Sequence, residues 1–128
     1  MTVRIVQLGS PRARGEGLRI GTVRRPPRGV RREDYAAQDW YDVWYPELAP
    51  AAETIALARD AADPRTWQAF VLRYRREMAA PAASRTLDLL AALSHHADFS
   101  VGCYCADEAR CHRSVLRALL AERGARLA

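Results

Sequence analysis

The chain contains no lysine, so all 20 of its basic side chains are arginine. Together with abundant alanine, this points to a bias toward arginine codons, which scatters guanidinium groups over a surface where most charges are simply solvated. No apolar run approaches the roughly 20 residues that a membrane-crossing helix needs, so no membrane partner is expected. Near the start, Val3, Ile5 and Leu8 alternate with polar neighbours, whereas an export signal needs a continuous apolar stretch and a small-residue cleavage site. The 3 cysteines are an odd number, which cannot complete an internal disulfide framework. A reducing compartment with free or metal-bound thiols is the simpler reading, and the expected location is cytoplasmic. Internal repeats and low-complexity tracts are also absent.

What is present is a globular balance, with 49% hydrophobic and 27% charged residues in 128 positions. That length suits one domain spanning 1–128, enough for a real core and too short for two. The net charge of +5 is polarised: residues 1–32 hold 9 arginines against one acid, Glu16, giving +8 there and −3 over the remainder. A concentrated arginine field attracts phosphate, carboxylate and nucleic acid, because guanidinium offers several donors in a rigid fork.

Alternation predicts a first strand over Arg4 to Leu8, ended by Gly9, Ser10 and Pro11, and a second over Leu18 to Val23. Two prolines and Gly29 make Arg24 to Val30 an exposed, stiff, basic loop. The aromatic-rich stretch Tyr35 to Tyr45 fits a short strand near its end or a helix almost equally. Ala51 to Ala61 reads as a short helix. Asp63 before Pro64 starts another, whose Trp67, Phe70, Val71, Tyr74 and Met78 make a core stripe. Pro81 opens a helix through Leu93, with Leu87, Leu90 and Leu93 facing inward. His95 and His96 near its end suit capping. Phe99 to Tyr104 reads as a strand, and a last helix carrying Val115, Leu116, Leu119 and Leu120 stops at Gly124. The expected fold is therefore α/β, a small mostly parallel sheet flanked by helices, since a long helical middle returns most naturally by a parallel crossover.

All three cysteines fall within Cys103 to Cys111, where that last strand passes through a loop into the last helix. Loops at the carboxyl ends of strands in open α/β sheets are where ligands bind. At a helix amino end the macrodipole favours the thiolate of Cys111, beside His112 and Arg113. Two chemistries fit these atoms. In one, Cys111 or Cys103 is a nucleophile or redox thiol, His112 shuttles a proton, and Arg113 with the basic loop holds an anion. In the other, Cys103, Cys105, Cys111 and His112 hold zinc. A Cys-x-Cys followed by an adjacent Cys-His is not the usual two-residue knuckle, so no metal ligand is assigned from spacing. Cys103 alone reads as a small buried hydrophobe. A phosphatase-type loop is excluded, because Cys111 rather than arginine stands six positions beyond Cys105.

With these residues assembled, the chain resembles the short, single-domain members of the bacterial DUF488 family over nearly its whole length. The likeness rests on Leu8-Gly9-Ser10, Thr22-Val23-Arg24 leading to Pro27-Arg28-Gly29-Val30, Leu48-Ala49-Pro50, and above all Cys103 with Cys111-His112-Arg113. The resemblance implies a compact α/β domain in which Ser10, Arg24, Cys103, Cys111, His112 and Arg113 gather in one pocket. Many relatives carry a glutamate where this chain has Cys105, so any acid or base role there falls to Cys105 or Glu108. The expectation is a phosphate-bearing ligand, small molecule or nucleic acid, held by Ser10, Arg24, Arg28 and Arg113, with thiol chemistry at Cys111, His112 and Cys103. A zinc-stabilised binding module, or a nucleic-acid-binding module using the arginine-rich first third, are the alternatives. The sequence names no cofactor and no oligomeric state.

Overall fold

The computed structural model describes residues 1–59 and 63–128. Strands β1 (Val3–Gln7), β2 (Leu18–Gly21), β3 (Val43–Trp44) and β4 (Phe99–Cys103) form one sheet in the order β1-β4-β2-β3, with every neighbouring pair parallel. Helices α1 (Ala52–Arg59), α2 (Pro64–Met78), α3 (Pro81–Leu93) and α4 (His112–Glu122) complete an α/β architecture. No helix among the described residues is long and apolar enough to cross a membrane.

The last strand in the chain lies inside the sheet. Val101 of β4 stands opposite Ile5 of β1 on one side and Ile20 of β2 on the other, and every residue of β4 is buried. Because successive strand side chains point to opposite faces, Phe99 and Val101 enter the main core, where Phe70, Tyr74, Leu87, Leu116 and Leu120 of the helices meet them. Each such large apolar side chain contributes about 1.5–3 kcal/mol on burial. Ser100 and Gly102 face the other way. A Cβ at Gly102 would stand 2.7 Å from the Val6 carbonyl oxygen, so only glycine fits there.

That second face is held by a charged pair without access to water. Arg19 is 0% and Glu16 2% exposed. Arg19 donates Nε and Nη2 to the two Glu16 oxygens at 2.7 and 3.0 Å, and Nη1 to the carbonyls of Ser10 at 2.9 Å and Asp39 at 2.7 Å. Glu16 also accepts from Ser100 Oγ at 2.7 Å and from the Ala13 amide at 3.0 Å. Burying both charges is tolerable because each is paired and hydrogen-bonded. The network pins the β1–β2 connection to the turn at Asp39, whose φ of 62° is left-handed.

Helix α2 starts as expected, with the Asp63 carboxylate accepting from the Thr66 amide at 2.8 Å and Pro64 in the first turn. Phe70, Tyr74 and Met78 are buried, and Trp67 stacks on Phe70 at 4.9 Å. In α3, Leu93 does not face inward but is 38% exposed. At 3.6 residues per turn the inward position after Leu87 and Leu90 is residue 94, and Ser94 is fully buried there. His95, just past the end of α3, meets the Gly124 carbonyl through Nε2 at 2.8 Å. The helix expected over 51–61 begins at Ala52, and Asp60 and Ala61 lie outside the described residues. Of the aromatic stretch 35–45, only Val43–Trp44 is regular, as a strand.

Tyr74 donates its hydroxyl to the Leu48 carbonyl at 2.6 Å, both residues being fully buried. Tyr74→Phe is expected to cost about 1–2 kcal/mol by leaving that oxygen unsatisfied. The check is a lower urea midpoint with an unchanged slope.

Candidate active site

The carboxyl ends of β1, β2 and β4 open into one cavity of about 1100 Å³. Its floor holds Cys103, Cys105, Cys111 and His112; Arg24, Arg25, Arg28, Arg59 and Arg110 belong to its walls. Trp40, Tyr104, Phe70, Ile55, Pro26 and Pro27 give it flat apolar surface. Gly9 has φ of 91° and brings the Trp40 ring over the end of β1, within 2.8 Å of where a Cβ would lie. Tyr104 packs edge-on against Trp40 at 5.9 Å and donates its hydroxyl to the Arg25 carbonyl at 2.8 Å. The basic loop is thereby tied to the strand that delivers the thiols.

Cys111 caps the amino end of α4 with extended backbone (φ −126°, ψ 154°), and His112 is the first residue of that helix. His112 Nε2 lies 2.8 Å from the Thr22 carbonyl oxygen. A carbonyl only accepts, so Nε2 carries the hydrogen and Nδ1 presents a lone pair. Nδ1 lies 3.9 Å from Cys111 Sγ. Tyr74 holds the imidazole from the side, edge-on at 5.5 Å. Sulfur, base and orienting carbonyl thus stand in series.

The three thiols shift one another. Cys103 Sγ donates to Cys105 Sγ across 3.8 Å. Donation to Cys105 and Cys111, together with burial, pushes the Cys103 thiol far up. The same hydrogen bonds from Cys103 lower Cys105, assisted by the Arg113 charge, and lower Cys111, assisted by His112. Cys105 is the exposed member, whereas Cys103 and Cys111 are buried on the cavity floor.

Of the residues singled out from sequence, Ser10, Arg24, Arg28, Cys103, Cys111 and His112 all line this cavity. Ser10 Oγ donates to the Gln7 carbonyl at 2.5 Å, and Arg24 donates to the Ala49 and Pro50 carbonyls at 3.2 Å. Arg113 does not line it. Arg113 is 4% exposed, donates Nη2 to the Cys105 carbonyl at 2.6 Å, and leaves Nε without a partner. Thr22, which contacts His112, and Trp40 and Arg59, which line the cavity, were not singled out from sequence as site residues. Thr22 meets His112 Nε2 chiefly through its backbone carbonyl at 2.8 Å, with its Oγ1 3.3 Å from the same nitrogen.

A family model described as the active DUF488-N3 subclade, DUF488-N3a, matches residues 3–124. No curated protein and no solved structure matches the chain.

Proposed function

The chain belongs to the DUF488 family, and from that premise we propose that its cavity binds a phosphate-bearing ligand and presents it to the Cys111 thiol. The observation that carries this reading is the series Cys111 Sγ, His112 Nδ1 and Thr22 carbonyl at the floor of an arginine-walled cavity. Such an arrangement of nucleophile, base and orienting group is the general form of an activated thiol. The Cys111 proton passes to His112 Nδ1. The sulfur electron pair then bonds to an electrophilic centre of the ligand, and the displaced group leaves with the electrons of its broken bond and takes the proton from His112. Fixed guanidinium donors supply the charge complement for phosphate. The flat surfaces of Trp40 and Tyr104 suit an aromatic body, so a nucleotide, or the phosphorylated end of a nucleic acid, is the ligand class we favour.

Calorimetric titration with AMP tests the binding half of the proposal. Binding is expected to weaken with salt, and Arg28→Ala is expected to weaken it roughly ten- to a hundredfold, the worth of one charge-assisted hydrogen bond. A 5′-phosphorylated oligonucleotide in place of AMP separates a free nucleotide from a nucleic-acid end. Absence of binding by both at low salt sinks the reading.

A further inference from the structure

The thiols and imidazole that form the proposed nucleophilic site also have the geometry of a metal centre. Cys103 Sγ, Cys111 Sγ and a ring nitrogen of His112 all lie within 4.8 Å of one another, and all three residues are buried. A tetrahedral zinc ion with its usual bond lengths spaces two sulfurs about 3.8 Å apart, and a sulfur and a nitrogen about 3.6 Å apart. The Cys103 to Cys105 separation is 3.8 Å, and Cys111 Sγ to His112 Nδ1 is 3.9 Å. The three buried ligand atoms thus stand near zinc spacing, and Cys105, outside that group, reaches it beside Cys103 and completes it by turning inward.

Two further features point the same way. A ligating histidine almost always donates its second ring hydrogen to a carbonyl or carboxylate, which fixes the tautomer and aims the other nitrogen at the metal. His112 does this through Thr22. Zinc with three thiolates carries a net charge of −1, and such a charge in a buried place needs a counter-ion. Arg113 is buried, bonds the backbone of Cys105, forms no ion pair with a carboxylate among the described residues, and keeps an unpartnered Nε.

We propose that Cys103, Cys111 and His112 Nδ1 bind a thiophilic divalent cation of the zinc class, with Cys105 as a fourth, solvent-facing ligand, and that the bound ion silences Cys111 as a nucleophile. The ligand assignment stands on its own geometry; the silencing rests on the thiol chemistry proposed above. Cys105 alone among the sulfurs is exposed, so it is the arm through which the ion enters and leaves. The site is a reversible block rather than a permanent structural clasp.

The test is titration of the reduced, chelator-treated full chain with cobalt(II). One ion per chain is expected, with tetrahedral absorption and a thiolate-to-cobalt charge-transfer band, both erased by one equivalent of zinc. Cys103→Ser and His112→Gln are each expected to lose the tetrahedral spectrum. Cys105→Ser is expected to keep one cobalt with the charge-transfer band lowered by about a third, one thiolate of three being lost. Only an octahedral spectrum from the unmodified chain, or a stoichiometry other than one, overturns the site. Alkylation of Cys111 undiminished by saturating zinc overturns the silencing. AMP titration of the metal-free chain reads the anion site separately, so failure of one proposal is distinguishable from failure of the other.

Discussion

In chelator-treated protein, His112→Gln is expected to slow alkylation of Cys111 by iodoacetamide at pH 7 by on the order of a hundredfold, the usual worth of a positioned proton acceptor. The comparison belongs in a Cys105→Ser background, because Cys105 is the exposed thiol and otherwise takes the reagent first. Glutamine retains a donor for the Thr22 carbonyl but cannot accept the Cys111 proton, so the substitution removes the base while keeping the bond that orients it. AMP is expected to slow labelling in the background protein, since Cys111 is reached through the cavity that the arginines surround. Mass spectrometry of the labelled peptide against time gives the rate. Equal rates with histidine and glutamine remove the base from the mechanism.

Arg19→Ala is expected to destabilise the fold by about 3–5 kcal/mol, because it strands the Glu16 carboxylate where no water reaches. For a domain of this size the melting temperature falls by on the order of 10–20 °C. Replacing both partners with Glu16→Gln and Arg19→Met is expected to recover much of the loss, since no uncompensated charge remains. The acid response follows from the same pair. Burial pushes the Glu16 pKa up, but hydrogen bonds from Arg19, Ser100 and the Ala13 amide outweigh it and bring it to about 2, below the ordinary 4.5. A carboxyl depressed in this way contributes stability that is complete above about pH 4.5 and is lost as pH falls toward about 2. In Arg19→Ala the burial effect is left without its main opponent, so acid destabilisation over that window should shrink. Thermal melts from pH 7 down to pH 2.5 measure both. An Arg19→Ala protein that melts like the parent at neutral pH contradicts this account.

The elements whose pattern is set by one buried face were legible from residue order. The Asp63-Pro64 start and the stripe Phe70, Tyr74 and Met78 define α2 because a helix against a sheet must repeat its apolar side chains at 3.6 residues. Leu93 shows where the same rule loses phase: counting three from Leu90 lands on the outer side of the last turn, whereas Ser94, polar and therefore overlooked, faces in. The pair Arg19 and Glu16 is invisible for a related reason. Charged types are ordinarily read as surface, and only the carbonyls of Ser10 and Asp39, distant in sequence, reveal that the guanidinium is satisfied indoors. At the site, the concentration of cysteines beside His112 marked the floor of the cavity. The shortest contact orienting His112 comes from a backbone carbonyl, which carries no side-chain signature, and Arg113 differs from Arg28 only in three dimensions: the first is buried against the Cys105 backbone while the second lines the cavity.

The strand order has a bearing on how this chain comes into being. Both β1 and β2 await a common neighbour that follows them in the chain only after three helices, at Phe99–Cys103. Until β4 emerges, β1 and the β2 edge turned away from β3 are unpaired, the state from which aggregation begins. Assembly of the sheet, and with it the cavity, waits for the emergence of β4 and α4. Without β4, β1 has no neighbour and stands apart from the β2–β3 pair, so no sheet closes beneath the cavity.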